Sequence, residues 1–227
     1  MNLKKLEAKW QKKWEEAKLF ESEPKEDQEK YFVNCPYPYM NGYLHLGHAF
    51  TYLRADMVSR YQRMKNKNVL FPFAFHCTGT PIVAAAQRVK EGEKIQIKAL
   101  KQMGLSDTLI KKLSKPEEWT KYFPDKAIND LKRFGTSIDW RRSFITTSLN
   151  PPYDRFIQWQ FNKLLKNDYL IKGSFPVVWC PKRETVVGDH DRLSGEGETP
   201  QEYTLLKFKG EEDYLVAATL RPETVFG

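Results

Sequence analysis

The sequence is poor in cysteine and contains no long hydrophobic run, and each shortage excludes a class of protein. Cys35, Cys77 and Cys180 are the only cysteines among 227 residues, and they lie far apart. An odd number at such spacing argues against a disulfide framework and suits a reducing cytosol, so we expect a cytoplasmic protein. No apolar run approaches the roughly 18 residues of a membrane-spanning helix, and the first residues enter a charged helix rather than a signal segment. We therefore expect no membrane partner.

Acidic residues are scarce in one part of the chain. Residues 51–150 contain 19 Lys and Arg against 9 Asp and Glu, an excess of +10, whereas the whole chain carries a net charge of +8. A basic block of this kind fits a polyanion such as RNA. A solvated lysine-rich face explains the same charge equally well, so charge alone leaves both interpretations open.

One stretch combines a predicted strand, a turn rich in proline and glycine, and the start of a helix. The strand is expected at 31–35 and the helix at 47–64. The first N–H groups of a helix lack intrahelical acceptors and its dipole end is positive, which makes this position suitable for phosphate. His45 and His48 are three residues apart and can face one ligand, and Gly47 lets a flat ring or a phosphate approach the backbone.

Strand, helix and strand in succession predict an α/β fold with a Rossmann-like parallel sheet. The second strand is expected at 69–75, which completes one βαβ unit. Ligands of such sheets bind beyond the carboxyl ends of the strands, where the histidine turn and His76 both fall. Residues 91–130 have a charged helical pattern and predict a helical insertion in this fold.

Two helices are predicted to pack through apolar stripes. The N-terminal helix, expected at 3–20, is predicted to pack on the core. Its stripe consists of Leu3, Leu6, Trp10, Trp14 and Ala17. The stripe of the helix at 47–64 is predicted to be core rather than a ligand site, and it consists of Phe50, Leu53, Met57, Tyr61 and Met64.

The sequence around the histidines resembles the class I aminoacyl-tRNA synthetases. Residues 45–48, His-Leu-Gly-His, are similar to the H-I-G-H signature of that class. A bare H-x-G-H also occurs in small nucleotidylyltransferases, and the flanking residues are more specific. Residues 35–42, Cys-Pro-Tyr-Pro-Tyr-Met-Asn-Gly, and 75–82, Phe-His-Cys-Thr-Gly-Thr-Pro-Ile, resemble leucyl-tRNA synthetases of the archaeal and eukaryotic branch. The resemblance covers the chain but corresponds to only the N-terminal part of a much longer enzyme.

The resemblance implies the first half of a class I catalytic domain. It places an N-terminal helix and linker at 1–29 and the first half of the Rossmann catalytic domain, with its helical insertion, at 30–173. A connection towards an editing insertion follows at 174–217, and the truncated start of the editing domain at 218–227. The K-M-S-K-S signature of the family is absent from this sequence. The chain is therefore expected to be an incomplete enzyme, with the remaining C-terminal part as a partner.

The implied activity is that of a leucine–tRNA ligase, which uses ATP with Mg²⁺. Leucine attacks the α-phosphorus of ATP to give leucyl-adenylate, and the leucyl group then moves to tRNA(Leu). Because the first step needs positioned charge rather than covalent help, the catalytic role falls to His45 and His48. The resemblance assigns ATP binding to the same histidines together with Tyr39 and Gly47.

The resemblance also implies residues for substrate binding and editing. The leucine site is assigned to Asn34, Cys35, Tyr37 and His76. Core packing is an equal alternative for Cys35 and Tyr37, and His76 stands where isoleucyl and valyl relatives carry an Asp. The editing residues are Thr219, Arg221 and Thr224, and editing itself is expected to be undetectable because most of that domain is missing.

Other functions remain open on the sequence. No metal site is predicted, since Cys180 with His190 is at most half of a zinc site. A free-standing nucleotidylyltransferase would use the same H-x-G-H turn, and a non-catalytic tRNA-binding paralogue would use the basic block at 51–150. Leucine-dependent pyrophosphate exchange separates the enzyme hypotheses, and salt-dependent tRNA binding without exchange would indicate the paralogue.

Overall fold

The computed structural model describes residues 2–181, 184–188 and 202–226. It divides into two compact units, Met1–Ile171 and Lys172–Gly227. The helices of the first unit are α1 Leu3–Glu16, α2 Leu46–Met64, α3 Thr80–Lys90, α4 Lys94–Gln102, α5 Asp107–Lys112, α6 Pro116–Phe134 and α7 Pro151–Lys166. Its strands are β1 Lys30–Phe32, β2 Asn68–Leu70, β3 Ala74–Phe75 and β4 Phe144–Ile145.

The predicted βαβ unit is confirmed by the pairing of the strands. β1 and β2 are parallel, with Tyr31 opposite Val69, and α2 connects them. The strand predicted at 69–75 is interrupted, because Pro72 has no N–H to donate to a neighbouring strand. Its second piece, β3, pairs in parallel with β4. The predicted α/β fold is thus observed, with its parallel strands arranged as two-stranded sheets.

The helical insertion is also confirmed, and it contains a large part of the core. α4 to α6 occupy this region, and local signals set their ends. The Ser106 hydroxyl accepts from the Leu109 N–H at 3.3 Å to cap α5, and Gly135 ends α6 with a φ of 82°. Trp119 and Phe123 of α6 are fully buried, and burying one such side chain contributes about 1.5–3 kcal/mol.

The stripe of α2 that was predicted to be core is exposed, so that prediction is wrong. Phe50 is 67% exposed and Met64 is 86% exposed, and the other members of the stripe are exposed as well. The buried face of α2 instead contains Tyr52, Asp56 and Ser59. Polar groups are tolerated inside when every donor and acceptor is paired, and the contacts of Asp56 satisfy that condition.

Asp56 is the centre of the buried contacts of α2. Its Oδ1 accepts from the Ser137 N–H at 2.5 Å, and its Oδ2 accepts from Arg60 Nε at 2.8 Å. Arg63 donates to the Ser137 hydroxyl at 2.6 Å and to the Ser137 carbonyl at 3.0 Å. Burial lowers the pKa of Arg63 to about 10. These bonds fasten α2 to the segment that follows α6.

The N-terminal helix packs as predicted, and Trp14 of its predicted stripe makes one of the contacts. Leu3, Leu6 and Trp10 of its apolar stripe are exposed. The guanidinium of Arg60 lies 5.3 Å from the Trp14 ring centroid, and Gln11 Nε2 donates to the Arg133 carbonyl at 2.7 Å. These two contacts and an ion pair of Glu15 with Lys132 at 3.0 Å hold α1, rather than a continuous apolar seam.

In the part of the second unit that the structure describes, the strands form two antiparallel pairs. β5 Trp179–Cys180 pairs with β6 Thr185–Val186, and β7 Thr204–Lys209 pairs with β8 Tyr214–Thr219. The turn of the longer hairpin is closed by the Gly210 N–H, which donates to the Asp213 carbonyl at 2.8 Å. Across the described parts of both units, no helix has the length and apolar character needed to cross a membrane.

Replacing Asp56 by Ala is expected to lower the free energy of unfolding by about 2–3 kcal/mol, because buried donors on Ser137 and Arg60 lose their acceptor. Urea denaturation followed by circular dichroism measures the loss. The neighbouring variant Met57→Ala removes an exposed side chain and should change the same quantity by less than about 0.5 kcal/mol. Equal losses in the two variants would show that the Asp56 contacts do not stabilise the unit.

Candidate active site

The two histidines of the turn cap the N-terminus of α2. His45 is the N-cap residue, with an extended backbone, and its Nδ1 accepts from the Gly47 N–H at 3.1 Å. In return, His48 Nδ1 accepts from the His45 N–H at 3.2 Å, and the two ring centroids are 4.0 Å apart. This reciprocal cap has the logic of a capping box, built here from imidazoles. It fixes both rings against the first turn of the helix.

The caps determine which ring nitrogen carries the proton. A nitrogen that accepts from an N–H must be unprotonated, so the proton of each neutral ring sits on Nε2. His45 is exposed and His48 is half-buried. Each ring consequently presents an Nε2–H donor on the side away from its cap. The capping role and a role in ligand binding are therefore compatible, because they use different atoms of the same ring.

Gly47 is required by the His45 ring. A Cβ added to Gly47 would lie 2.9 Å from His45 Cε1 and 3.0 Å from His45 Nδ1. Real side chains do not approach so closely, and the ring could not move without losing its cap. The glycine between the histidines thus allows the first imidazole to fold back over the helix N-terminus.

Aromatic contacts connect His48 with the predicted leucine site. The His48 ring stacks on Tyr52 at 6.0 Å, and the Tyr52 ring meets Phe73 edge to face at 5.0 Å. Tyr37 packs against the same Phe73 at 6.2 Å. Burial, and secondarily the neighbouring His45, lower the pKa of His48 from its ordinary value. His48 is therefore neutral at physiological pH, in the form that the cap requires.

Tyr39 and His76 lie directly against each other. Their ring centroids are 4.1 Å apart, and their backbones form a parallel bridge in which the His76 N–H donates to the Pro38 carbonyl at 2.8 Å. The Thr78 hydroxyl lies 3.4 Å from His76 Nδ1. Burial lowers the pKa of His76, which keeps this imidazole neutral as well. A residue predicted to bind ATP and a residue predicted to bind leucine are thereby brought together.

The remaining residues assigned to the leucine site do not share one face. The segment after β1 is extended, so Cys35 is buried in the core while Asn34 is exposed. Burial raises the pKa of the Cys35 thiol to about 12, which keeps it uncharged. Tyr37 is half-buried and also packs on Phe144 at 5.9 Å.

The three residues assigned to editing form one turn in the second unit. The Thr219 hydroxyl accepts from the Arg221 N–H at 3.0 Å, and the Thr224 hydroxyl donates to the Arg221 carbonyl at 2.7 Å. The half zinc site considered from the sequence includes His190, which lies outside the described residues. Among the residues that the structure does describe, no group of three or more His, Cys, Asp or Glu side chains has the arrangement of a metal site.

Sequence reasoning missed two contributors to this site. Tyr52 supports the His48 ring, and its position four residues after His48 was the available signal. Tyr43 is tied to the helical insertion through Tyr122, and no sequence signal connects residues 79 positions apart.

The family described as "tRNA synthetases class I (I, L, M and V)" matches residues 9–203 of this sequence. The chain belongs to this class I synthetase family. Among curated relatives, the leucine–tRNA ligase of Aeropyrum pernix is 51% identical over 227 residues, which are 99% of this chain and 24% of that protein. The leucine–tRNA ligase of Methanocaldococcus jannaschii is 46% identical over 229 residues, covering 100% of this chain and 24% of the relative.

Less similar synthetases also match nearly the whole of this chain, or most of it, over a small part of their own length. The cytoplasmic leucine–tRNA ligase of Pongo abelii is 41% identical over 289 residues, which include 99% of this chain and 25% of the relative. A crystal structure of Agrobacterium radiobacter LeuRS, in a ternary complex with tRNA and LeuAMS, superimposes with a TM-score of 0.60 at 25% identity, over 80% of this chain and 20% of that one. The chain thus spans about a quarter of the length of the curated synthetases that it matches.

Acidification is expected to destabilise the first unit through His48. Because its folded pKa lies below the unfolded value of about 6.5, the unfolded chain binds this proton first, and stability falls as the pH drops from about 6.5 through the folded pKa. Urea denaturation between pH 7.5 and 5 measures how the free energy of unfolding changes with pH.

In the variant His48→Asn, the free energy of unfolding should depend less steeply on pH. Part of the dependence should remain, because the lowered pKa of His76 acts in the same direction. Replacing both residues by Asn should reduce the slope further. Equal slopes in wild type and His48→Asn would contradict the assigned environment of the ring.

Proposed function

We propose that this chain is the N-terminal part of a leucyl-tRNA synthetase and forms the ATP and leucine site of its catalytic domain. The reaction is ATP-dependent activation of leucine to leucyl-adenylate, followed by transfer to tRNA(Leu). The observation that carries the proposal is the reciprocal imidazole cap, which uses Nδ1 of both rings and leaves their Nε2–H groups as donors beside a helix N-terminus. The identity of 41–51% to leucine–tRNA ligases over nearly the whole chain supports the choice of amino acid.

In this proposal the histidines stabilise charge on ATP. As the leucine carboxylate attacks, negative charge builds on the α-phosphate oxygens and on the departing pyrophosphate. Nε2–H donors of His45 and His48, together with the positive end of α2, meet that charge without rearranging, because the caps hold both rings in place. Tyr39 and Gly47 complete the proposed ATP contacts, with Gly47 leaving room for the His45 ring over the helix N-terminus.

The proposed leucine site combines apolar surface with a neutral acceptor. Tyr37 and the uncharged Cys35 thiol are proposed to offer contacts for an isobutyl side chain, whereas exposed Asn34 lies on the opposite face of the extended segment and is not part of this apolar surface. His76 is neutral, so it would recognise the leucine ammonium as a hydrogen-bond acceptor rather than through opposite charge.

The rest of the enzyme is proposed to cover the exposed stripe of α2. Its members Phe50, Leu53, Met57, Tyr61 and Met64 form a row of large apolar side chains that water would otherwise surround. Surfaces of this kind mark interfaces. The relatives are about four times as long as this chain, so a C-terminal part of the same enzyme is the proposed occupant.

tRNA binding is proposed for the helical insertion rather than for the whole basic block. Arg60, Arg63 and Arg141 of residues 51–150 are engaged in internal bonds with Asp56, Ser137 and Asp139. The available positive charge therefore belongs mainly to lysines of α4 to α6, although Lys101, Lys121 and Lys132 among them are paired with Asp107, Glu118 and Glu15.

The remaining proposals concern Mg²⁺, editing and location. The histidine turn offers imidazoles, whereas Mg²⁺ prefers oxygen ligands, so these residues do not fit a protein-held Mg²⁺ site, and the ion is proposed only as a companion of the ATP phosphates. The turn of Thr219, Arg221 and Thr224 is proposed to belong to an editing site that this chain does not complete. A cytoplasmic location is proposed, consistent with the name of the Pongo relative.

Leucine-dependent ATP–pyrophosphate exchange tests the function. The assay uses the chain alone and a chimaera in which it replaces the matching segment of the Aeropyrum pernix ligase. The chimaera should exchange with leucine and far less with isoleucine, valine or methionine. Exchange independent of any amino acid would favour a nucleotidylyltransferase, and tRNA binding without exchange would favour a non-catalytic paralogue.

Two variants of His45 separate chemistry from capping. In the chimaera, His45→Ala should slow exchange by roughly 10²–10³, about 3–4 kcal/mol, as removal of an oxyanion donor does. His45→Asn retains a good N-cap residue but loses the Nε2–H donor, so it should be nearly as slow while its unfolding midpoint stays close to that of wild type. Full exchange activity in His45→Asn would show that His45 serves only to cap α2 and has no role in the chemistry. His48→Ala is expected to slow exchange to the same degree.

A further inference from the structure

The segment that delivers the chain to the histidines, residues 40–44, is held from two sides. On the sheet side, the Met40 N–H donates to the His76 carbonyl at 3.1 Å, and the Met40 side chain is fully buried. On the other side, the contacts come from the helical insertion. Only two residues separate Gly42 from the N-cap histidine. Any displacement of this segment would therefore reach the capping rings.

The insertion contacts the segment at two positions. A Cβ on Gly42 would lie 3.3 Å from the terminal methyl of Met103, the C-cap residue of α4. The hydroxyls of Tyr43 and Tyr122 lie 2.9 Å apart, and the Tyr43 ring meets Phe123 edge to face at 5.5 Å. Burial, and then the bond to Tyr122, raise the pKa of Tyr43 to about 12. A hydrogen bond and an aromatic contact thus fix Tyr43 two residues before His45.

We propose that Tyr122 is a positioning residue: through its hydrogen bond to Tyr43, the helical insertion sets the orientation of the His45 and His48 donors. Tyr122 acts through Tyr43 and does not touch the imidazoles. The insertion is thereby part of the active-site framework, in addition to any contact it makes with RNA. For its activity readout, this inference rests on the proposed function.

Histidine NMR on the chain alone tests the inference without reference to activity. Tyr122→Phe removes one hydroxyl and should shift the ring resonances of His45 and His48, and it should move the titration midpoint of His48 towards the ordinary histidine value. Tyr31→Phe is the matched control, because Tyr31 lies on β1 opposite Val69 with Lys67 over its ring. Unchanged histidine resonances in Tyr122→Phe would overturn the proposal.

Kinetics in the chimaera provide the second readout. Tyr122→Phe should lower kcat for leucine-dependent pyrophosphate exchange by about tenfold, since small misplacement of catalytic groups is costly, with little change in KM for leucine. Tyr43→Phe and the double variant should give the same loss, because all three remove one shared hydrogen bond. A kcat loss in the double variant equal to the product of the two single losses would overturn the positioning proposal. So would a loss in Tyr31→Phe as large as that in Tyr122→Phe. A chimaera that shows no exchange with intact tyrosines refutes the proposed function, and the NMR result then decides the positioning inference on its own.

Discussion

The unpaired N–H groups at the start of α2 are the constraint on which the site depends. Every helix must satisfy such groups, and this one does so with two imidazoles that accept through Nδ1. That choice has chemical consequences, because it fixes the tautomer, leaves the Nε2–H of each neutral ring out of the cap and requires a residue without a Cβ at position 47. Local helix chemistry and the proposed stabilisation of a phosphate charge therefore come from one arrangement of atoms.

The packing of α2 against the rest of the unit also depends on polar contacts. Its buried face is polar, with Asp56 paired to Ser137 and Arg60, while its apolar stripe is exposed. Paired polar groups in the interior fix orientation more specifically than aliphatic packing, since each bond requires a particular partner at a particular angle. The middle of α2 is thus held by directional hydrogen bonds, and its N-terminus by the imidazole cap.

The helical insertion has a structural role in this unit in addition to its positive charge. It contributes Trp119 and Phe123 to the core, and Tyr122 to the segment before the histidines. Arginines near it are engaged in internal ion pairs, such as that of Arg141 with Asp139. Counting charges along the sequence therefore overstates the positive surface that is available to RNA.

Local signals in the sequence were enough for the histidine turn, the βαβ order and the insertion, because periodicity, Pro and Gly positions and helix caps act between near neighbours. They failed for the α2 stripe, whose periodicity marks an apolar face without saying which face the rest of the molecule covers. The ring nitrogens used for capping, the contact of the Tyr39 ring with His76 and the bond between Tyr43 and Tyr122 arise from tertiary packing. Such contacts join residues far apart in the chain, or depend on side-chain rotation, and a linear pattern contains neither distance nor direction.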